Sequence, residues 1–281
     1  MKKKLSANKD FDTDRLPHNR VEVFVDCIKM RFGTLCVLGL VGLVFLLPFL
    51  ALQFFKDVYV NHVIYQAGLN EITYEDAQLQ ITRIRNYIRL LSILAYILAG
   101  VGFSGIGEII KKLVWGEPIF RSDFRDGIKS NCAHYVLIFA LFGLSVFSSA
   151  FIGNTQNASV LTAIPFALLV WLVLPVMLLI LSQTLVYTSN ISECVRNGFL
   201  LYFKTMPKTL PAVLILCLPI LLQLIPNMFV KYGCMIALVV LILPLMMMGW
   251  LLYSMYIFDK YINADHFPEY VDKGIYRDDS K

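Results

Sequence analysis

Apolar positions in this chain gather into long uncharged blocks, and polar positions gather between them. Phe32–Phe55 has no Asp, Glu, Lys or Arg in 24 residues, and Leu90–Gly107 has none in 18. Ser130–Ser192 extends the pattern over 63 residues; Thr209–Val230 and Tyr232–Phe258 follow, parted only by Lys231. A hydrocarbon core about 30 Å thick takes roughly 20 residues of helix. The 63-residue block is therefore two spans, with GNTQNAS (Gly153–Ser159) as the turn between them. Six spans result, at about 32–55, 89–110, 133–152, 160–187, 209–230 and 233–257. The pattern predicts an all-α polytopic membrane protein.

Short amphipathic stretches precede every second span. FVDCIK (Phe24–Lys29) and FRDGIK (Phe124–Lys129) lie 100 positions apart, and CVRNGFLLYF (Cys194–Phe203) takes the same place at an offset of 71 from the second. In the first, Val21, Phe24, Val25 and Ile28 share a face opposite Glu22, Asp26 and Lys29. In the second, Phe120, Phe124 and Ile128 oppose Asp123, Asp126 and Lys129. In the third, Ile191, Val195, Phe199 and Tyr202 oppose Arg196 and Asn197. Apolar residues at i, i+3/i+4 and i+7 are helical spacing, and beside basic residues they predict helices lying in the membrane interface. The chain then reads as three units, about 21–119, 120–190 and 191–258, each an elbow helix, an outward span and a returning span. A tail (1–20) precedes them and another (259–281) follows. Parallel repeats of this kind are expected to pack about an axis along the membrane normal.

The first unit carries a longer external loop, 56–87. Thr73 followed by Asp76 resembles an N-terminal capping box. Ile81, Ile84, Ile88 and Leu91 then keep 3–4 spacing, so one helix is expected from about Tyr74 to Trp115. At 1.5 Å per residue it would be about 60 Å long, with its first turns outside the bilayer.

Composition agrees: 58% of residues are hydrophobic and 16% charged, against about 45–50% and 25% in soluble domains. Twenty of the 25 Lys and Arg fall on the side of the termini; Lys56, Arg83, Arg85 and Lys231 fall on the other, with Arg89 at a span boundary. Positive charge is retained in the cytoplasm, so both termini are expected there. The net charge of +5 then suits anionic lipid headgroups, and no basic stripe with interleaved aromatics points to nucleic acid. The first apolar run is too long for a cleaved signal, whose core is about 7–15 residues.

Candidate chemistry is sparse. None of the six cysteines forms a CxxC pair, the four histidines are scattered, and no nucleophile elbow, HExxH or P-loop occurs. No catalytic residue, metal site or cofactor is expected. Ionisable groups inside a membrane mark function by default. Glu108 is the one carboxylate near a span, with Lys111 and Lys112 a turn later as ordinary helix-surface partners. Gln183 and Gln223 are neutral and suit bridges between helices. Gly100, Gly102, Gly105 and Gly107 in GVGFSGIG allow close helix contact. Lys111, Lys112, Arg121 and Arg125, with the elbow residues above, make a candidate surface for a cytoplasmic partner.

Three stretches also carry a likeness. DRLPHNRVEVFVDCIKMRFGTLCVLGLVGLVFLLP, GIGEIIKKLVWGEPIFRSDFRDGIKSN and NGFLLYFKTMPKTLPAVLILCLP resemble the first elbow and span, the connection to the second elbow, and the later elbow of the DUF624, or YesL-like, family. The chain departs from that pattern in its longer external loop and lacks the threonine-containing turn after the first span. The resemblance implies a multi-pass protein of the bacterial plasma membrane, tied to carbohydrate utilisation, with no catalytic residues to carry over. The expected function is that of a non-enzymatic accessory or assembly partner of a membrane complex such as a sugar transporter. The alternative is a small-solute transporter or channel with a path between the three units.

Overall fold

The structure, a computed structural model, describes residues 16–153, 160–187 and 189–276. Helices α1 (Arg20–Gly68), α2 (Tyr74–Val114) and α3 (Arg121–Gly153) come first. α4 (Val160–Leu168), a π turn (Leu169–Val173) and α5 (Leu174–Val186) form one continuous run. α6 (Ile191–Cys217) tightens into a 3-10 stretch (Leu218–Leu224), and α7 (Met228–Leu241) and α8 (Leu243–Phe258) follow. Among the described residues five helices are long and apolar enough to cross a membrane, and the pair α7–α8, bent by 47°, reaches the same length and apolarity when taken together. The all-α polytopic class read from the sequence is the one observed. The turn at 154–159 lies outside the described residues.

Local chemistry sets the helix ends. Asn19 caps α1 by accepting from the Glu22 N–H at 2.9 Å, and Glu22 accepts in return from the His18 N–H at 2.7 Å. Thr73 caps α2 by accepting from the Asp76 N–H at 3.1 Å, as the Thr-x-x-Asp spacing predicts. The 41 residues of α2 make a rod of about 60 Å.

Three expectations need correction. First, the loop 56–87 is almost wholly helical: α1 continues to Gly68, and only Leu69–Thr73 turns, through Asn70 at φ +59°. Val60, Val63 and Ala67 keep helical spacing beyond Lys56 and close on Ile72, Ala77 and Ile81 as a small second core. Second, only the first elbow is set off from its span as a separate helix. α1 changes direction at Arg31 (φ −130°, ψ 20°), whereas α3 and α6 run from elbow into span unbroken. Third, the turn between the last two spans is at Ile225–Asn227, ahead of Lys231. Pro226 cannot continue a helix, and Asn227 starts the next one by accepting from the Val230 N–H at 3.1 Å. Lys231 is inside α7, 9% exposed, and donates to Asp57 of α1, which also accepts from the Tyr232 hydroxyl at 3.1 Å.

Burial along the three elbows follows the register of the sequence comparison. Val23 and Cys27 are buried in the first, Asp123 and Gly127 in the second, Cys194 and Gly198 in the third. Each elbow touches a neighbouring unit, while Cys27 of the first also donates to the Leu113 carbonyl of its own α2 at 3.6 Å. A Cβ at Gly105 of α2 would lie 2.6 Å from the Phe124 ring, so elbow two rests on α2. A Cβ at Gly198 would lie 2.7 Å from Ile180, so elbow three rests on α5. Elbow one rests on α8: Phe24 lies 3.6 Å from the Cβ position of Gly249, and Arg20 pairs with Asp259 at 2.6 Å. Every elbow thus sits on the returning helix of the unit before it, and the first sits on the last.

The glycine run of α2 lies at the centre of this packing. Gly102 meets the Phe45 ring of α1, Gly105 meets Phe124 of α3, and Gly107 meets Leu185 of α5. A larger residue at any of the three would push a neighbouring helix away. This is the close-contact use of small residues.

Candidate functional site

The end of the bundle that carries both termini is closed by its own polar contacts. Lys112 pairs with Asp123 at 2.8 Å, and Asp123 also accepts from the Phe120 N–H at 2.7 Å. Both ionic groups lie outside the uncharged stretches. The Lys112 ammonium and the Phe120 amide hold the Asp123 carboxyl below the usual carboxylate range, and Asp123 raises Lys112 in turn. Lys111 pairs with Glu108 at 2.7 Å and lies over the Trp115 ring. The C-terminal segment folds back over this end. Tyr187 donates to Asn263 at 2.5 Å and packs on Phe258, Phe267 and Tyr270. Lys273 sits 3.6 Å over Trp115, and the Tyr276 N–H reaches the Pro17 carbonyl at 2.9 Å. The tail at 259–276 is therefore a cap on the bundle. Its isolated aromatics gave no periodic signal in the sequence.

The candidate partner surface divides accordingly. Lys111 and Lys112 face inward as internal partners. Arg121, Arg125, Asp126 and Lys129 are exposed on the outer side of elbow two, and none of the four forms an ion pair among the described residues. In elbow one Asp26 and Lys29 are exposed while Phe24 and Ile28 are half-buried; in elbow three Val195 and Phe199 are exposed and Asn197 half-buried. Ile128 is half-buried like Ile28.

The polar residues near the spans go separate ways. Glu108 is bound by Lys111 at the foot of α2, the local pair that its spacing suggests. Gln183 is buried at 1% exposure inside α5, and Gln223 is exposed in the 3-10 stretch. The structure does not bring the three together.

What the sequence did not reveal is a cavity of about 310 Å³ where the three units meet. Leu46, Phe142 and Leu216, one from each outward span, stand half-buried among its walls; Ile110, Leu185 and Leu251, one from each returning span, are buried among them. Three of its four polar side chains face the backbone: Tyr135 donates to the Leu181 carbonyl at 3.4 Å, while Ser182 and the Trp250 indole both donate to the Leu178 carbonyl, at 3.0 and 3.1 Å; Tyr96 is the fourth. The remaining wall is apolar, with Met177, Met246 and Met247 as adaptable filler. Glu108 and Gln183 do not line it. Such a space can hold an apolar molecule and offers no charged side chain to an ion or a sugar. No group of His, Cys, Asp and Glu able to hold a metal occurs among the described residues.

No protein-family model, curated protein or solved structure matches this chain.

Proposed function

We propose that this chain is a non-enzymatic multi-pass membrane protein that serves as an accessory or assembly partner of another membrane complex. Both termini lie in the cytoplasm of a bacterial plasma membrane in this reading. The observation that carries it is the two-sided second elbow. One side, through Phe124, Gly127 and Asp123, holds the bundle together. The other presents Arg121, Arg125, Asp126 and Lys129 to the outside. Charged side chains on a rigid helix, with no internal partner among the described residues, suit steered docking to an acidic surface. The test is co-purification from native membranes with Arg121→Glu, Arg125→Glu and Lys129→Glu combined. Loss of a specific companion complex that the parent chain retains supports the reading; an unchanged set of companions overturns it. The resemblance to the YesL-like family makes a carbohydrate uptake complex the first companion to look for, and that choice rests on the resemblance alone.

The cavity favours one form of the alternative, passage or storage of an apolar solute between the three units. Its walls fit that solute class and oppose a sugar or an ion, whose desolvation would go uncompensated there. Uptake of an apolar probe by the purified chain in vesicles distinguishes this reading from the first.

A further inference from the structure

A second, smaller pocket of about 140 Å³ opens at the foot of α6 and α8. Lys204, Lys208 and Lys260 converge on it together with Tyr253, Tyr256 and Tyr261. Lys204 lies 4.2 Å and Lys260 5.3 Å from the centre of the same Tyr261 ring, and Lys208 lies 5.9 Å from that of Tyr256. No carboxylate pairs with any of the three among the described residues. Asp259, next to Lys260 in the sequence, is held by Arg20 at 2.6 Å and by Asn263 at 2.8 Å. Three like charges gathered without a counterion repel one another, so the arrangement calls for an anion from outside.

The level of the pocket says which anion. The uncharged run Thr209–Val230 starts directly after Lys208, and the run Tyr232–Phe258 ends two residues before Lys260. The lysines therefore stand where hydrocarbon gives way to headgroups. Phe203, 63% exposed, and Tyr256, 47% exposed, present apolar surface at that boundary, in the manner of interfacial aromatic belts. Tyr253 supplies a polar wall, its hydroxyl bonded to the Thr209 hydroxyl at 2.9 Å, which in turn is bonded to that of Thr205 at 2.9 Å. Lysine binds phosphate as a compact point charge.

We infer that this pocket is a binding site for the phosphate of an anionic membrane lipid, whose tails lie along the exposed apolar face of α6. The site is separate from elbow two and does not depend on the accessory reading.

The test is native mass spectrometry of the full chain released from nanodiscs of mixed phosphatidylglycerol and phosphatidylcholine. The parent chain should retain phosphatidylglycerol in preference to phosphatidylcholine. Lys204→Gln, Lys208→Gln and Lys260→Gln should each lower that preference about fivefold, the size expected for one cation near an anionic surface. The three lysines replaced by arginine should keep it, and Lys29→Gln with Lys129→Gln should leave it unchanged, which separates a site from general surface charge. Equal retention of both lipids, an unaltered preference in the triple Gln variant, or an equal loss from the Lys29 and Lys129 control overturns the proposal. So does displacement of phosphatidylglycerol by millimolar inorganic phosphate alone, which would assign the pocket to a free anion.

Discussion

The hydroxyl of Tyr202 in α6 donates to the main-chain carbonyl of Trp171 in the π turn between α4 and α5. The α-helical donor to that carbonyl would be the N–H of residue 175, which is proline and has none. The side chain of one unit thereby completes the backbone of another. Tyr202→Phe should lower the unfolding free energy by about 1–2 kcal/mol, the cost of an unmet buried acceptor. In a Pro175→Ala background the same change should cost less, because residue 175 can then donate. Thermal unfolding of the four chains in one detergent measures that coupling; equal costs in both backgrounds would refute it.

Gly39 of α1 is packed against the carbonyl of Val240, where a Cβ would come within 1.9 Å. Pro244 denies that carbonyl its α-helical donor, and the chain bends there between α7 and α8 by 47°. Gly39→Ala should therefore destabilise by about 3 kcal/mol, the upper range of overpacking. Gly33→Ala, with nothing within 4 Å, should be neutral or slightly stabilising. Melting temperatures of the two variants, side by side, decide it.

The bond between Lys112 and Asp123 gives a pH dependence with a definite sign. The folded carboxyl titrates below its ordinary value because Lys112 and the Phe120 amide favour its charged form. The stability it contributes is present above the unfolded carboxylate value of about 4 and is lost as pH falls through the lower folded value. Asp123→Asn should thus be less stable than the parent at neutral pH, and the gap should close on acidification. A gap that stays constant down to the strongly acid range would contradict the pairing.

Asp259→Ala should loosen the C-terminal cap, since it removes the partner of both Arg20 and Asn263. Limited proteolysis should cut between 259 and 276 faster than in the parent chain, with far-ultraviolet circular dichroism nearly unchanged because the spans remain. Loss of helix signal on the same scale would instead make Asp259 essential to the whole bundle.

The spans and elbows were legible because each is a run of residues with one dominant signal: absence of charge, or apolar positions at 3–4 spacing. The Thr73–Asp76 pair also located Tyr74 as the start of α2, while the continuation of α1 to Gly68 was obscured by Lys56, Asp57 and His62, polar residues that are harmless on a helix projecting from the bundle. Lys231 was read as a turn because a cation between two apolar runs ordinarily marks one. Here Asp57 neutralises it from a position 174 residues earlier, which local pattern cannot anticipate. The cavity was invisible for the same reason. Leu46, Ile110, Phe142 and Leu251 are unremarkable in their own helices, and only the meeting of three units leaves space among them. The lysine pocket joins α6 to residues 253–261, about fifty residues later in the chain.

Elbow one takes its seat on Gly249 and Asp259, so the segment synthesised first must wait for the segment synthesised last. During translation Phe24 and Arg20 stay undocked until the ribosome has delivered α8, and the circle of three units closes only after the final span has entered the bilayer. A nascent chain halted before residue 243 would keep two completed junctions and leave an open edge where α8 belongs, a ready target for quality-control proteases.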